Sequence, residues 1–393
     1  MISATEAKNI IDNAVQHLKP VVMPLAECWG KTLEQDVIAS MDIPAFPQSS
    51  MDGYAFSFRE LQNDRRFSVA GESAAGNSKA FRIAANTAAR IFTGAAVPEG
   101  ADTVVMQEKV LVENGMITVN DQNLLQGSNV RMKGSEVKKG EVALEKGNKL
   151  TAAALGHLAG IGIDRVSVFP FPKISVIVTG NELAAPGTTL QFGEVFESNS
   201  FALTGALKQF HQQPARIESA VDDPDLLKML LQHVLDESDM VLLTGGVSVG
   251  DYDFVIEAAT ECGVQTLFHK VKQRPGKPLY FGMKGHQVVF GLPGNPSSVL
   301  TCFYEYVLRA MGKMSSTDVK LPVLQAPLST GFSKNIPFTQ YLKGYYDGSV
   351  VMPLLHQESY KMKSFARANC LIMLNEEDQE VREGDVREIH LIG

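Results

Sequence analysis

The apolar run Val241-Leu242-Leu243 leads into Thr244-Gly245-Gly246-Val247-Ser248-Val249-Gly250. Two carboxylates, Asp251 and Asp253, close that loop before the helical pattern of Phe254 to Ala259. Glycines in such a loop let the backbone approach a ligand closely, and N–H groups at a helix N-terminus suit an anion. Carboxylates beside an anion nest repel it unless a cation such as Mg²⁺ lies between them. The same residues also fit a plain strand-to-helix turn with an Asp cap. Two further stretches carry matching chemistry. One gathers Lys270, Lys272, Arg274 and Lys277 around Pro275-Gly276. The other is Pro293-Gly294-Asn295-Pro296-Ser297-Ser298, in which Asn295 can cap a helix and Pro296 fits its first turn. Ser49, Ser50 and Asp52 put three small polar groups on one short loop, and Thr93 ends a strand before Gly94; both also read as turn residues.

These groups need elements to hold them. Ile174 to Val178 is a continuous run rich in β-branched residues, as expected of a strand buried on both faces, and it ends in Thr179-Gly180-Asn181-Glu182-Leu183. A helix is expected from Ser200 to Phe210 and a strand from Ala215 to Val221. Asp222-Asp223-Pro224 then starts another helix, with an Asp cap and Pro in the first turn. Strands Leu279 to Phe281 and Val288 to Leu292 follow, then a helix from Ser297 to Ala310. Repeated strand-loop-helix units predict a doubly wound parallel sheet with helices on both faces and ligands at the carboxyl ends of the strands. That edge gathers Glu182, Asp222, Asp253, the cationic loop and the Pro-Gly-Asn-Pro loop. Residues 54 to 139 alternate short apolar runs with turns, an all-β pattern, and short strands return after Gly312, where a small β-barrel or sandwich is expected. At the start of the chain, Thr5 is a candidate cap for a helix whose stripe is Ile10, Ile11, Ala14, Val15 and Leu18.

The chain has 393 residues, 45% of them hydrophobic, which is enough for several globular domains. A formal net charge of −8 without a dense Lys/Arg run argues against nucleic acid as a partner. No apolar stretch approaches the ~18 residues that read as a membrane span. The N-terminus lacks a signal-peptide core, and Cys28, Cys262, Cys302 and Cys370 lie far apart, so buried free thiols in a reducing cytoplasm are expected.

Six stretches in one order resemble the molybdopterin molybdenumtransferase family, which includes MoeA and the gephyrin E-domain. They are Ser50-Met51-Asp52-Gly53-Tyr54-Ala55, Thr93-Gly94-Ala95, Val178-Thr179-Gly180-Asn181-Glu182-Leu183, Gly245-Gly246-Val247-Ser248-Val249-Gly250, Pro275-Gly276-Lys277-Pro278 and Gly291-Leu292-Pro293-Gly294-Asn295-Pro296. The resemblance covers nearly the whole chain. It implies a multidomain α/β plus β protein: an elongated N-terminal linking and dimerisation domain (1–50 and 140–168), a β-rich inserted domain (51–139), a molybdopterin-binding α/β domain (169–315) and a C-terminal β-barrel (316–393). It further implies a homodimer that uses Mg²⁺ and molybdate to convert adenylylated molybdopterin into molybdenum cofactor, releasing AMP. A molybdopterin adenylyltransferase is the implied partner.

In that frame Asp52, Glu182, Asp222 and Asp253 match acidic positions of the family, and Asp251 is a neighbouring metal candidate with Glu182, Asp222 and Asp253. Thr93, Lys270, Arg274 and Lys277 complete the candidate catalytic set. Gly245, Gly246, Ser248, Gly250, Lys272, Pro293, Gly294, Asn295, Pro296, Ser297 and Ser298 form the candidate substrate-binding set. Ser297, Ser298 and the cationic loop suit molybdate, a tetrahedral oxyanion. The chain departs from the family at Val137, where an acid is usual, and at Glu358-Ser359, where Gly-Ser is usual. Two alternatives stay open: an adenylyltransferase or related nucleotide enzyme on the same central domain, and a molybdopterin-binding scaffold without catalysis.

Overall fold

The strand Ile174–Thr179 is buried at all six positions, which its run of β-branched side chains allows only at the centre of a covered sheet. It lies in a six-stranded sheet. Arg216–Ala220 flanks it on one side, and Met240–Thr244, Gln287–Leu292, Tyr280–Lys284 and Gln265–His269 follow on the other. The computed structural model describes residues 1–76, 82–246 and 254–392. They divide into two units, Val22–Ser167 and Met1–Val21 with Val168–Gly393, and the sheet belongs to the second.

The expected parallel sheet is parallel except at one strand. Tyr280–Lys284 runs against both Gln287–Leu292 and Gln265–His269. The cause is the short turn Gly285-His286 between Tyr280–Lys284 and Gln287–Leu292, which only an antiparallel pair can use. Because two reversals restore direction, Gln265–His269 still points the same way as the parallel strands. The cationic loop that follows it therefore emerges at the same carboxyl edge. The chain leaves Ile174–Thr179 toward Arg216–Ala220 and then returns to Met240–Thr244 on the opposite side, so the strand order reverses between them, where open α/β sheets bind ligands.

One face of the sheet packs on Leu203, Leu207, Val299, Phe303 and Val307; the other packs on Leu227, Leu231, Val234, Val255 and Ala259. Each of these Leu, Val and Phe side chains contributes ~1.5–3 kcal/mol when fully buried. The N-terminal helix is Ala4–Ala14, and its cap is Ser3, whose hydroxyl accepts the Glu6 N–H at 3.0 Å; Thr5 is inside the helix. Its apolar stripe is spent within this unit. Ala4, Ala7, Ile11 and Val15 are buried in the same core as Phe303 and Met311, with Ile10, Ala14 and Leu18 packed against it. The stripe therefore packs within its own unit, with Ile10, Ala14 and Leu18 partly buried.

The expected helix from Ser297 to Ala310 starts one residue earlier and contains a π-helical stretch, running as Pro296–Cys302, Phe303–Val307 and Leu308–Met314. C-terminal strands Val323–Pro327, Thr339–Tyr346, Val351–Pro353, Cys370–Leu374 and Val386–Leu391 pair in series. A bridge between Leu328 and Val351 joins the ends of that path into the expected small barrel, filled by Leu342, Cys370, Ile372 and Ile389. Val22–Ser167 contains the expected β-rich part, a six-stranded sheet from Gly53–Phe56 to Met116–Val119 over Phe56, Phe67, Val105 and Ile117. Val137 is buried at 5% exposure and pairs with Ile43, which accounts for an apolar residue there. All four cysteines are free and buried. Among the described residues no helix is long and apolar enough to cross a membrane.

Candidate functional site at the carboxyl edge of the central sheet

The loops after the parallel strands enclose a cleft of about 1140 Å³. Thr179 and Thr244 end adjacent strands, and the Thr179 hydroxyl donates to the Thr244 carbonyl at 3.3 Å, tying the two loops together at their roots. Gly245 has φ +89°, and a Cβ there would stand 2.5 Å from the Thr179 carbonyl oxygen, so no other residue fits without moving the neighbouring strand end. Gly245 and Gly246 line the cleft with Thr179, Gly180, Glu182 and Asp222. Asp222 is positioned by a reciprocal pair: its carboxylate accepts the Asn181 N–H at 3.3 Å, and its own N–H donates to the Asn181 side-chain oxygen at 3.0 Å. The cap of the following helix is the next residue, Asp223, which accepts the Leu226 N–H at 3.0 Å. Asp222 is thus relieved of capping and faces the cleft.

The opposite wall is cationic. Arg274 and Lys277 are exposed and line the cleft, presented by a loop anchored through buried Gln273. The Gln273 amide donates to the Gly276 carbonyl at 3.2 Å and its oxygen accepts the Tyr306 hydroxyl. A Cβ on Gly276 would fall 2.5 Å from Cys302 Sγ, which requires glycine at that position. Lys270 and Lys272 are not among the residues lining the cleft. Their backbones bridge Ile2 at the start of the chain, and the Lys272 carbonyl accepts the Thr339 N–H at 3.0 Å.

Pro293, Gly294, Asn295, Pro296 and Ser298 line the floor. Asn295 holds the cap position, but its amide donates to the Ser359 hydroxyl at 2.9 Å rather than accepting from the helix. Ser297 is 1% exposed and does not line the cleft; its N–H donates to the Ser359 carbonyl at 3.1 Å. Asp52 and Thr93 meet in the other unit, where one Asp52 oxygen accepts both the N–H and the hydroxyl of Thr93 at 2.8 Å. Those two hydrogen bonds hold the exposed Asp52 carboxyl below its ordinary range. Ser248, Gly250, Asp251 and Asp253 lie outside the described residues.

Two segments of the cleft were not read as site residues from the sequence. One is Val195 to Asn199, ahead of the helix Asn199–Gln209. The other is Gln357 to Tyr360, from the C-terminal barrel. That second loop is held by Lys343, 2% exposed, whose ammonium donates to the carbonyls of His356, Glu358 and Lys361 at 2.9, 3.2 and 3.1 Å. Burial lowers the Lys343 pKa from its ordinary value, with Glu358 opposing. Ser364 donates to the same His356 carbonyl at 2.8 Å.

Comparison with known proteins agrees with the geometry. Residues 2–162 match the MoeA N-terminal region (domain I and II), 175–313 a probable molybdopterin binding domain, and 325–392 the MoeA C-terminal region (domain IV). A molybdopterin molybdenumtransferase of Haemophilus influenzae is 34% identical over 381 residues, 94% of each chain. One of Staphylococcus epidermidis is 32% identical over 401 residues, covering 99% of this chain and 95% of that one. Among solved structures, the molybdopterin biosynthesis MoeA protein of Pyrococcus horikoshii superposes with a TM-score of 0.78 at 28% identity, covering 100% of both chains. The chain belongs to the MoeA family of molybdopterin molybdenumtransferases.

Proposed function

We propose that the cleft binds adenylylated molybdopterin and exchanges its AMP for molybdenum taken from molybdate. The observation that carries this reading is the arrangement at the strand-order reversal: Glu182 and Asp222 on one wall, Arg274 and Lys277 on the other, and glycine backbone between them. A phosphoric anhydride needs this combination. Arg274 and Lys277 bind phosphate oxygens and stabilise the charge that grows as the anhydride opens, and the Gly245-Gly246 turn admits the phosphate close to the backbone.

Mg²⁺ fits the same wall. The ion takes oxygen ligands, keeps several waters and is usually held by one or two carboxylates together with substrate phosphates. Among the described residues no cluster of three or more His, Cys, Asp or Glu gathers, so the ion would rest on one or two carboxylates with substrate phosphate; Asp222 and Glu182 are the described candidates on that wall, with Asp251 and Asp253 as further candidates. When bound, the ion would supply Lewis-acid stabilisation of the leaving phosphate. The four-part division at 1–50 with 140–168, 51–139, 169–315 and 316–393 belongs to the same reading, supported by the distinct main sheets within 51–139, 169–315 and 316–393, although Gln273–Arg274 also pairs with Thr339–Tyr346. So do a cytoplasmic setting, supported by four free thiols, and supply of the substrate by a molybdopterin adenylyltransferase.

The reading also includes a symmetric homodimer in which Asp52 and Thr93 of one copy face the cleft of the other. Its support is a polar pair, prearranged by two hydrogen bonds, with both residues exposed at the surface of their own unit. Light scattering at micromolar concentration should give the mass of two chains; a monomer would contradict it.

The activity test is incubation with adenylylated molybdopterin, Mg²⁺ and molybdate. Molybdate-dependent AMP release and formation of active cofactor are expected. Absence of both would overturn the proposal, and ATP consumption with no molybdate requirement would replace it with adenylyl transfer.

A further inference from the structure

Two acceptor atoms in the cleft have no donor. Asn199 is 8% exposed, and its amide nitrogen donates to the Gly294 carbonyl at 2.9 Å. That bond fixes which way the amide faces, so the atom left over is Oδ1, which is buried and has no hydrogen-bond partner. Glu358 Oε2 is likewise buried without a partner. Both residues line the same cleft, which also holds Arg274 and Lys277. Buried polar atoms are normally satisfied, and leaving one unmet costs free energy that a ligand can return. The second cavity of this unit, beside Lys8 and His390, contains no such orphaned atom among the described residues.

The cleft is therefore divided by chemistry. Arg274, Lys277 and the glycine turn suit the phosphates, which accept hydrogen bonds and donate none. Asn199 and Glu358 call for donors. We propose that Asn199 Oδ1 and Glu358 Oε2 read the amine edge of the substrate's pterin, where an exocyclic amino group stands beside a ring N–H. A carboxylate is well suited to such an edge, since hydrogen bonds to a charged partner are the stronger ones. Adenine offers one amino group flanked by ring acceptors, which would leave one of the two oxygens unmet and set lone pairs against it. The assignment rests on the proposed function and concerns binding: Asn199 and Glu358 set which heterocycle seats in the cleft.

The test uses the full-length protein, titrated separately with molybdopterin, followed by the pterin's fluorescence, and with AMP. Asn199→Ala and Glu358→Gly should each weaken molybdopterin binding by about ten- to hundredfold, the size of a lost buried hydrogen bond, and leave AMP binding unchanged. Glu358→Gln keeps an oxygen acceptor and should recover most of the affinity. In turnover the losses should fall on KM, with kcat retained. Asn199→Ala also releases Gly294, so thermal melts accompany the titrations. Should that variant unfold, the Glu358 pair decides, since its buried Oε2 has no hydrogen-bond partner to lose. Parent-like molybdopterin binding by Glu358→Gly overturns the assignment, as does weakened AMP binding with molybdopterin binding intact. A parent protein that binds no molybdopterin overturns the proposed function and this assignment with it.

Discussion

The unit that carries the cleft has a second large cavity, and the two make opposite use of polar groups. The second, of about 940 Å³, is lined by Lys8, Asp12, Glu305, Arg309, Glu388 and His390, among others. Its central charges satisfy one another. Lys8 reaches Glu305 at 2.6 Å, His390 reaches Glu305 at 2.5 Å and Glu388 at 2.9 Å, and Arg309 grips Asp12 with two hydrogen bonds. Burial pushes the Glu305 carboxyl up, but Lys8 and His390 outweigh it and hold the pKa at about 2. The cleft at the sheet edge shows the reverse: turns that only glycine fits, exposed cations and acceptors without donors. Size does not separate the two cavities. Unmet hydrogen-bonding capacity does, and it marks the cleft as the place where a ligand completes the structure.

Glu305→Ala should break this contrast most severely. It strands Lys8 and His390 in the interior, and removing one partner of a buried ion pair costs about 3–5 kcal/mol. A thermal melt should drop by roughly 6–20 °C at 2–4 °C per kcal/mol, with AMP release by the protein that stays folded unchanged. Asp222→Asn is the counterpart in the cleft. It keeps the shape and removes the charge offered to Mg²⁺. Loss of about 3 kcal/mol of transition-state stabilisation predicts at least a hundredfold fall in molybdate-dependent AMP release, with melting within a few degrees of the parent. Asp253→Asn should do the same if Asp253 shares the ion.

The network also predicts a pH profile of stability. Glu305 is depressed when folded, so its contribution is complete above the ordinary carboxyl value and is lost as pH falls from about 4.5 toward 2. Burial lowers the His390 pKa, but hydrogen bonding and charge from Glu305 raise it further, for a net rise from 6.5. Its contribution is therefore complete below that ordinary value and fades as pH climbs through the folded one. Melting temperature should peak between these limbs, and His390→Gln should flatten the alkaline side. The smallest effect separates two adjacent carboxylates. Asp223→Ala removes a helix cap and should cost about 1 kcal/mol while leaving AMP release intact, opposite to Asp222→Asn.

Much of the cleft was legible because local rules place it. Asp222-Asp223-Pro224 reads as a helix start with one carboxylate to spare, and the glycine turn after Val241 to Leu243 reads as a close approach. The strand expected at Leu279 to Phe281 is present as Tyr280–Lys284, but its reversed direction is not legible, because direction is chosen by pairing and not by the strand's own residues. Asn199 and Glu358 are not legible as acceptors for a ligand, because an unmet acceptor exists only once the surroundings are folded. The Lys8–Glu305 pair joins positions 297 residues apart, and no periodicity reports that. The stripe of the first helix was legible as a stripe, but what covers it was not. Ser3 rather than Thr5 caps that helix, a shift of two residues that the competing hydroxyls left open.

The central claim is that the substrate seats in the sheet-edge cleft and leaves the ion-paired cavity untouched. Hydrogen–deuterium exchange, with and without adenylylated molybdopterin and Mg²⁺, tests it in one measurement. Exchange should slow in 179–183, 244–246, 293–298 and 356–360 and stay unchanged in 303–314 and 388–390. Slowing confined to the latter two segments, or none anywhere while the substrate binds, would contradict the account.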